Sequence, residues 1–122
     1  MDIKILIVDS HEQLALQLTE YLTWQGFSVK LLTDSSGTIE ELGKGAYDVL
    51  IVDVYAAPVN GYRICQMIKN NQDPKLSKLK IFLSGPEEPG LEEFMEAKHP
   101  NVFLMSKYQA TERWPDKIRL VV

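Results

Sequence analysis

Two aspartates each close an apolar run: Asp9 follows Ile5-Leu6-Ile7-Val8, and Asp53 follows Val49-Leu50-Ile51-Val52. Ser84 stands just after the run Leu79 to Leu83, and Ser106-Lys107 follow the run Val102 to Met105. If each run is a strand and the strands end at one rim, Asp9, Asp53, Ser84 and Lys107 share a site. Carboxylates a few ångströms apart repel, which raises one pKa unless a cation compensates. Mg²⁺ is suited to this, since it takes one or two carboxylates, keeps several waters and accepts phosphate oxygens. The Ser84 hydroxyl can hydrogen-bond an added phosphoryl oxygen, and the Lys107 ammonium can neutralise its charge. The chemistry implied is a carboxylate nucleophile that accepts a phosphoryl group. Singly, each residue has a plainer reading: a turn or cap for the aspartates and the serine, a solvated charge for the lysine. Their common position carries the functional one.

The elements that must hold these groups are legible from periodicity. Ile3 to Val8 reads as a buried strand, followed by helical spacing at Leu14, Leu18, Tyr21 and Leu22. Gly26 stands where a left-handed residue ends that helix. Phe27 to Leu32 is a second strand, and Ile39 and Leu42 mark a short helix that ends near Gly43. Val49 to Val52 is the third and most apolar strand. A loop runs to Asn60, then a helix puts Ile64, Cys65 and Ile68 on one face. Leu79 to Leu83 is a fourth strand and Val102 to Met105 a fifth, with a short helix at Leu91, Phe94 and Met95 between them. The tail keeps helical spacing at Trp114, Ile118 and Val121, and Pro115 predicts a short helix that begins there. Strands alternating with helices predict a doubly wound α/β fold with a five-stranded parallel sheet. Ligands bind such sheets beyond the carboxyl ends of the strands, which is where the four groups fall.

Composition bounds the rest. The chain has 122 residues, 13 Lys+Arg against 17 Asp+Glu, and a formal net charge of −4. No basic cluster resembles the face of a duplex binder, so direct nucleic-acid contact is not expected. No apolar run approaches the roughly 20 residues of a membrane span, and Asp2 and Lys4 spoil a signal-peptide reading, so a cytoplasmic protein is expected. The single cysteine, Cys65, excludes an internal disulfide and reads as a buried structural thiol. His11 and His99 lie far apart without cysteine partners, which argues against zinc. Gly43-Lys44-Gly45 lacks the spacing of a phosphate-binding loop.

Ile5-Leu6-Ile7-Val8-Asp9, Tyr47-Asp48-Val49-Leu50-Ile51-Val52-Asp53 and Asn60-Gly61-Tyr62 together resemble the receiver domain of two-component response regulators. The resemblance runs from Lys4 to about Lys107 and implies a flavodoxin-like receiver fold with strand order 2-1-3-4-5, one domain over residues 1–122. It implies that Asp53 accepts a phosphoryl group from a histidine kinase or phosphotransfer protein, using Mg²⁺. Asp9 and the Tyr55 backbone carbonyl would help hold the ion, Ser84 would meet the phosphate, and Lys107 would pair with it. Turnover would be limited to phosphoryl acceptance and hydrolysis. The partners implied are that donor and an output domain or partner protein. The apolar end Leu120-Val121-Val122 leaves open a piece excised from a longer regulator.

Several positions depart from the family pattern. Receivers carry two adjacent acidic residues after the first strand, whereas here Ser10 follows Asp9 and offers at best a weak ligand, so weak Mg²⁺ binding is predicted. Ser10-His11-Glu12-Gln13 fits a capping box with Ser10 as N-cap, and Glu12 favours the helix N-terminus by its charge. The family proline four residues after the acceptor is Ala57 here, with Pro58 next. Tyr55 places a ring where it would shield an acyl phosphate from water. Lys107-Tyr108 lacks the family proline, and a cis bond without proline costs about 3 kcal/mol, so a trans bond is expected. The switch aromatic position falls on Leu104, leaving Phe103, one residue off and on the opposite strand face, as its candidate. Asn60 to Cys65 and Lys78 to Gly85 are also similar to pseudo-receivers of the gliding-motility regulator type. That similarity supports the alternative of a phosphorylation-independent interaction module.

Overall fold

A computed structural model describes residues 2–45, 47–85, 100–106 and 111–122. The five strands are β1 (Lys4–Val8), β2 (Ser28–Leu32), β3 (Val49–Asp53), β4 (Lys80–Gly85) and β5 (Val102–Ser106). They form one parallel sheet in the order β2-β1-β3-β4-β5. The helices are α1 (Glu12–Trp24), α2 (Thr38–Lys44), α3 (Gly61–Lys69), α4 (Pro74–Ser77) and α5 (Arg113–Val121), with a 3₁₀ turn at Ser35–Gly37 before α2.

The two-residue period of a strand divides the core in two. Leu6, Val8, Leu50, Val52, Ile81 and Leu83 face α2, α3 and α4, where Leu42, Ile64, Cys65, Ile68 and Leu76 meet them. Ile5, Ile7, Val49, Ile51 and Phe82 face α1 and α5 and pack on Leu22, Trp114 and Ile118. Because β1 and β3 are covered on both sides, their sequences are apolar apart from Lys4 at the start of β1 and Asp53 at the end of β3. Burying one such side chain stabilises by roughly 1.5–3 kcal/mol, so the sheet interior dominates the stability.

Local punctuation works as the sequence implies at Gly26, whose φ of +99° lets the chain leave α1 and enter β2. Elsewhere the structure corrects the expectation. The capping box does not form: α1 begins at Glu12 with His11 as N-cap and no side-chain cap bond. The Asp9 carboxylate accepts the His11 N–H at 2.8 Å instead. Ser10 Oγ is drawn to distant backbone, donating to the Thr33 carbonyl and accepting from the Ala57 N–H, both at 3.0 Å.

At the other end of the chain, α5 begins at Arg113 rather than Pro115. Pro115 sits in its first turn, where a missing N–H leaves no intrahelical bond unmade. The short α4 was not anticipated, although Asp73 caps it by accepting the Lys75 N–H at 3.0 Å and Pro74 opens it. The helix expected at Leu91, Phe94 and Met95 lies outside the described residues. Among the described residues no helix is long and apolar enough to cross a membrane.

Candidate functional site

Asp9, Asp53 and Ser84 continue the strand alternation of Ile7, Ile51 and Phe82, so all three emerge at the carboxyl edge on the α1–α5 side. β3 carries Asp53 as its last residue, and the register pairs Asp53 with Ser84 on β4. The pairing is closed by a hydrogen bond from the Val54 N–H to the Ser84 carbonyl at 2.8 Å. Asp53 is buried at 1% exposure and Asp9 at 9%, unusual values for carboxyl groups.

His11 forms a three-residue cluster with Asp9 and Asp53. Its Nδ1 lies 3.7 Å from Asp9 Oδ1 and 3.8 Å from Asp53 Oδ2, and ligand atoms of the three residues fall within 4.8 Å of one another. The sequence spacing of His11 matches no cysteine-rich zinc pattern, so that spacing alone does not mark it. The usable signal was its place two residues after Asp9, on a loop that must turn over the strand ends. Ser10, by contrast, is not in the cluster, because its hydroxyl serves Thr33 and Ala57.

The donor set accommodates a divalent cation. Two buried carboxylate oxygens can hold Mg²⁺, which otherwise keeps its waters, and the imidazole nitrogen adds a donor of a different kind. Bound there, a divalent ion would neutralise the facing carboxylates and draw phosphate oxygens toward Asp53.

The loops around the cluster are fixed by small residues. Asn60 caps α3 by accepting the Arg63 N–H at 2.9 Å. Gly61 opens α3 against the end of β3, where an added Cβ would lie 2.5 Å from the Asp53 carbonyl oxygen and 2.9 Å from its carbon. Backbone must therefore move to admit a side chain. Gly61→Ala is expected to cost about 1–3 kcal/mol in urea denaturation, the usual range for overpacking; unchanged stability would show that the helix start can slide.

Beneath Asp53 lies a cavity of about 80 Å³ between α1 and α5, lined by Ala15, Leu18, Ile51 and Trp114 and reaching Asp9 and Ser84. Tyr55 is 67% exposed, outside this core. Phe103 packs on Phe82 with ring centroids 5.6 Å apart, on the α1–α5 side, while Leu104 faces outward on the other side. β5 runs in unbroken register, Phe82 beside Phe103 and Leu83 beside Leu104, so no bulge exchanges the two faces. Lys107 and the Lys107-Tyr108 bond lie outside the described residues. Cys65 is buried, and desolvation pushes its thiol up to about 12, which leaves it inert as a nucleophile at neutral pH.

The fold and site define a parallel α/β module with a carboxylate pocket at its switch point. Residues 5–107 match the family model for the response regulator receiver domain, and the chain belongs to that family, a signalling module of two-component systems. Among curated relatives, the regulatory protein VanRc of Enterococcus gallinarum is 32% identical over 69 residues, covering 57% of this chain and 30% of that protein. The response regulator MprA of Mycobacterium tuberculosis is 26% identical over 73 residues, covering 60% and 32%. The chain thus spans about a third of the length of these relatives. The chemotaxis response regulator CheY4 of Vibrio cholerae superposes over all of both chains with a TM-score of 0.84 at 17% identity. A two-component response regulator from Clostridium difficile gives 0.81 at 18% identity, over 98% of this chain and 95% of that one. At such identities these structures establish the fold alone. No finding favours the pseudo-receiver reading.

Proposed function

We infer that Asp53 is the phosphoacceptor of this receiver domain. The observation that carries the reading is the register of β3 and β4, which sets the Asp53 carboxylate opposite Ser84 and beside Asp9 at one buried rim. An Asp53 carboxylate oxygen attacks the phosphorus of a phosphohistidine donor. The P–N bond breaks, the imidazole leaves with the electron pair, and an acyl phosphate forms. The Ser84 hydroxyl donates to a phosphoryl oxygen, and the Lys107 ammonium pairs with another. Asp9, with the Tyr55 carbonyl, would hold the Mg²⁺ that receivers bind at this acidic pocket. The partners are a histidine kinase or phosphotransfer protein and an output domain or partner protein, in the cytoplasm. Incubation with a small phosphodonor and Mg²⁺ tests this by intact-protein mass: a labile phosphoryl adduct is expected, and its absence at high donor would overturn the reading.

The exposed ring of Tyr55 stands two residues after the acceptor, where it can fold over an acyl phosphate and keep water away. Tyr55→Asn is expected to speed loss of the adduct, followed as its decay after donor removal. An unchanged decay rate rejects the shielding role.

A further inference from the structure

The phosphoryl chemistry uses Asp9, Asp53 and Ser84 but gives His11 no part. Its Nδ1 nevertheless sits almost equidistant from Asp9 Oδ1 and Asp53 Oδ2, at 3.7 and 3.8 Å. We propose that Asp9, His11 and Asp53 form a mixed nitrogen–oxygen site that selects first-row transition cations such as Zn²⁺ and Co²⁺ over Mg²⁺, with His11 Nδ1 as the selecting ligand. The inference shares its two carboxylates with the phosphoacceptor reading and rests on it to that extent.

Three observations converge. The first is the donor set: imidazole suits Zn²⁺, Fe²⁺, Ni²⁺ and Cu²⁺, whereas Mg²⁺ takes oxygen and gives up its waters reluctantly. The second is that no side-chain oxygen replaces the imidazole from the next position, because the Ser10 hydroxyl is engaged by Thr33 and Ala57. The third is reach. Ligand atoms about 2.0–2.1 Å from a tetrahedral ion lie roughly 3.3 Å apart, so the 3.7 and 3.8 Å gaps from His11 Nδ1 to the two carboxylates need to close by only a few tenths of an ångström. The His11 ring has room to adjust, because its side chain is 62% exposed while its backbone N–H is anchored on Asp9.

The test titrates the whole chain with Zn²⁺, Co²⁺ and Mg²⁺ by calorimetry, with the visible absorption of Co²⁺ as a readout of nitrogen ligation. His11→Ala is expected to weaken Zn²⁺ and Co²⁺ binding at least about 10-fold and to alter the Co²⁺ spectrum. Mg²⁺ affinity should be unchanged. Because His11 and His99 are the only histidines, His99→Ala serves as the control and should leave all three affinities intact. An equal loss for Mg²⁺ and Zn²⁺ in His11→Ala, or no loss for Zn²⁺, overturns the inference. If Mg²⁺ still binds and the phosphoryl adduct still forms, the phosphoacceptor reading survives that outcome. If the parent binds none of the three cations and takes no phosphoryl group, both fall.

Discussion

An Asp53→Asn chain is expected to take up no phosphoryl group at all, while the parent forms a labile adduct under the same donor and Mg²⁺. The loss is expected to be complete because the amide has no anionic oxygen to attack phosphorus. Asp9 is the nearest described alternative, yet one of its oxygens is held by the His11 N–H at 2.8 Å. The fold should survive, since Asn matches Asp in shape and the β3–β4 register depends on backbone groups and apolar neighbours. Intact-protein mass beside a thermal unfolding curve checks both halves. A parent-like adduct in Asp53→Asn would place the acceptor elsewhere.

The largest effect on stability is expected from Phe82→Ala, about 3–5 kcal/mol, the range for deleting a buried aromatic. Phe82 is 2% exposed at the middle of β4. Its ring meets Phe103 of β5 at 5.6 Å and stands edge-on to Trp114 of α5, also at 5.6 Å. One truncation therefore removes two aromatic contacts and opens space between the sheet and the last helix. Against a total of about 5–15 kcal/mol for an ordinary domain, such a loss removes a large share of the stability. Urea denaturation gives the number, and a loss under 1 kcal/mol would mean that α5 is held by other means.

The inner strands β1, β3 and β4 are readable as uninterrupted apolar runs, which a parallel sheet covered on both faces requires, and the edge strand β2 is readable despite Lys30 at its middle. Asp9, Asp53 and Ser84 were readable for the same reason, as polar residues at the end of apolar runs. The failures share a different cause. Ser10 looked like a cap because its local pattern fits one, but its hydroxyl partners lie 23 and 47 residues away, outside any local window. The competing cap came from Asp9, whose carboxylate bonds the N–H two residues on. Pro115 marks a helix start by its local pattern, whereas buried Trp114 and Ile118 pull the turn before it into α5. Chain spacing argues against His11 as a zinc ligand, while its place beside Asp53, far from it in sequence, is set by the fold.

The serine contacts beside the site have a mechanical consequence. Ser10 ties the turn after β1 to Thr33 and Ala57. Ser35 accepts the Val59 N–H at 2.8 Å and donates to the Val59 carbonyl at 2.6 Å, while its own N–H reaches the Ala57 carbonyl at 3.0 Å. Two hydroxyls thus rivet the loops after β1, β2 and β3 into a single stiff plate along one flank of Asp53. A push on any one of these three loops is therefore shared by the other two, as between panels riveted along a common seam.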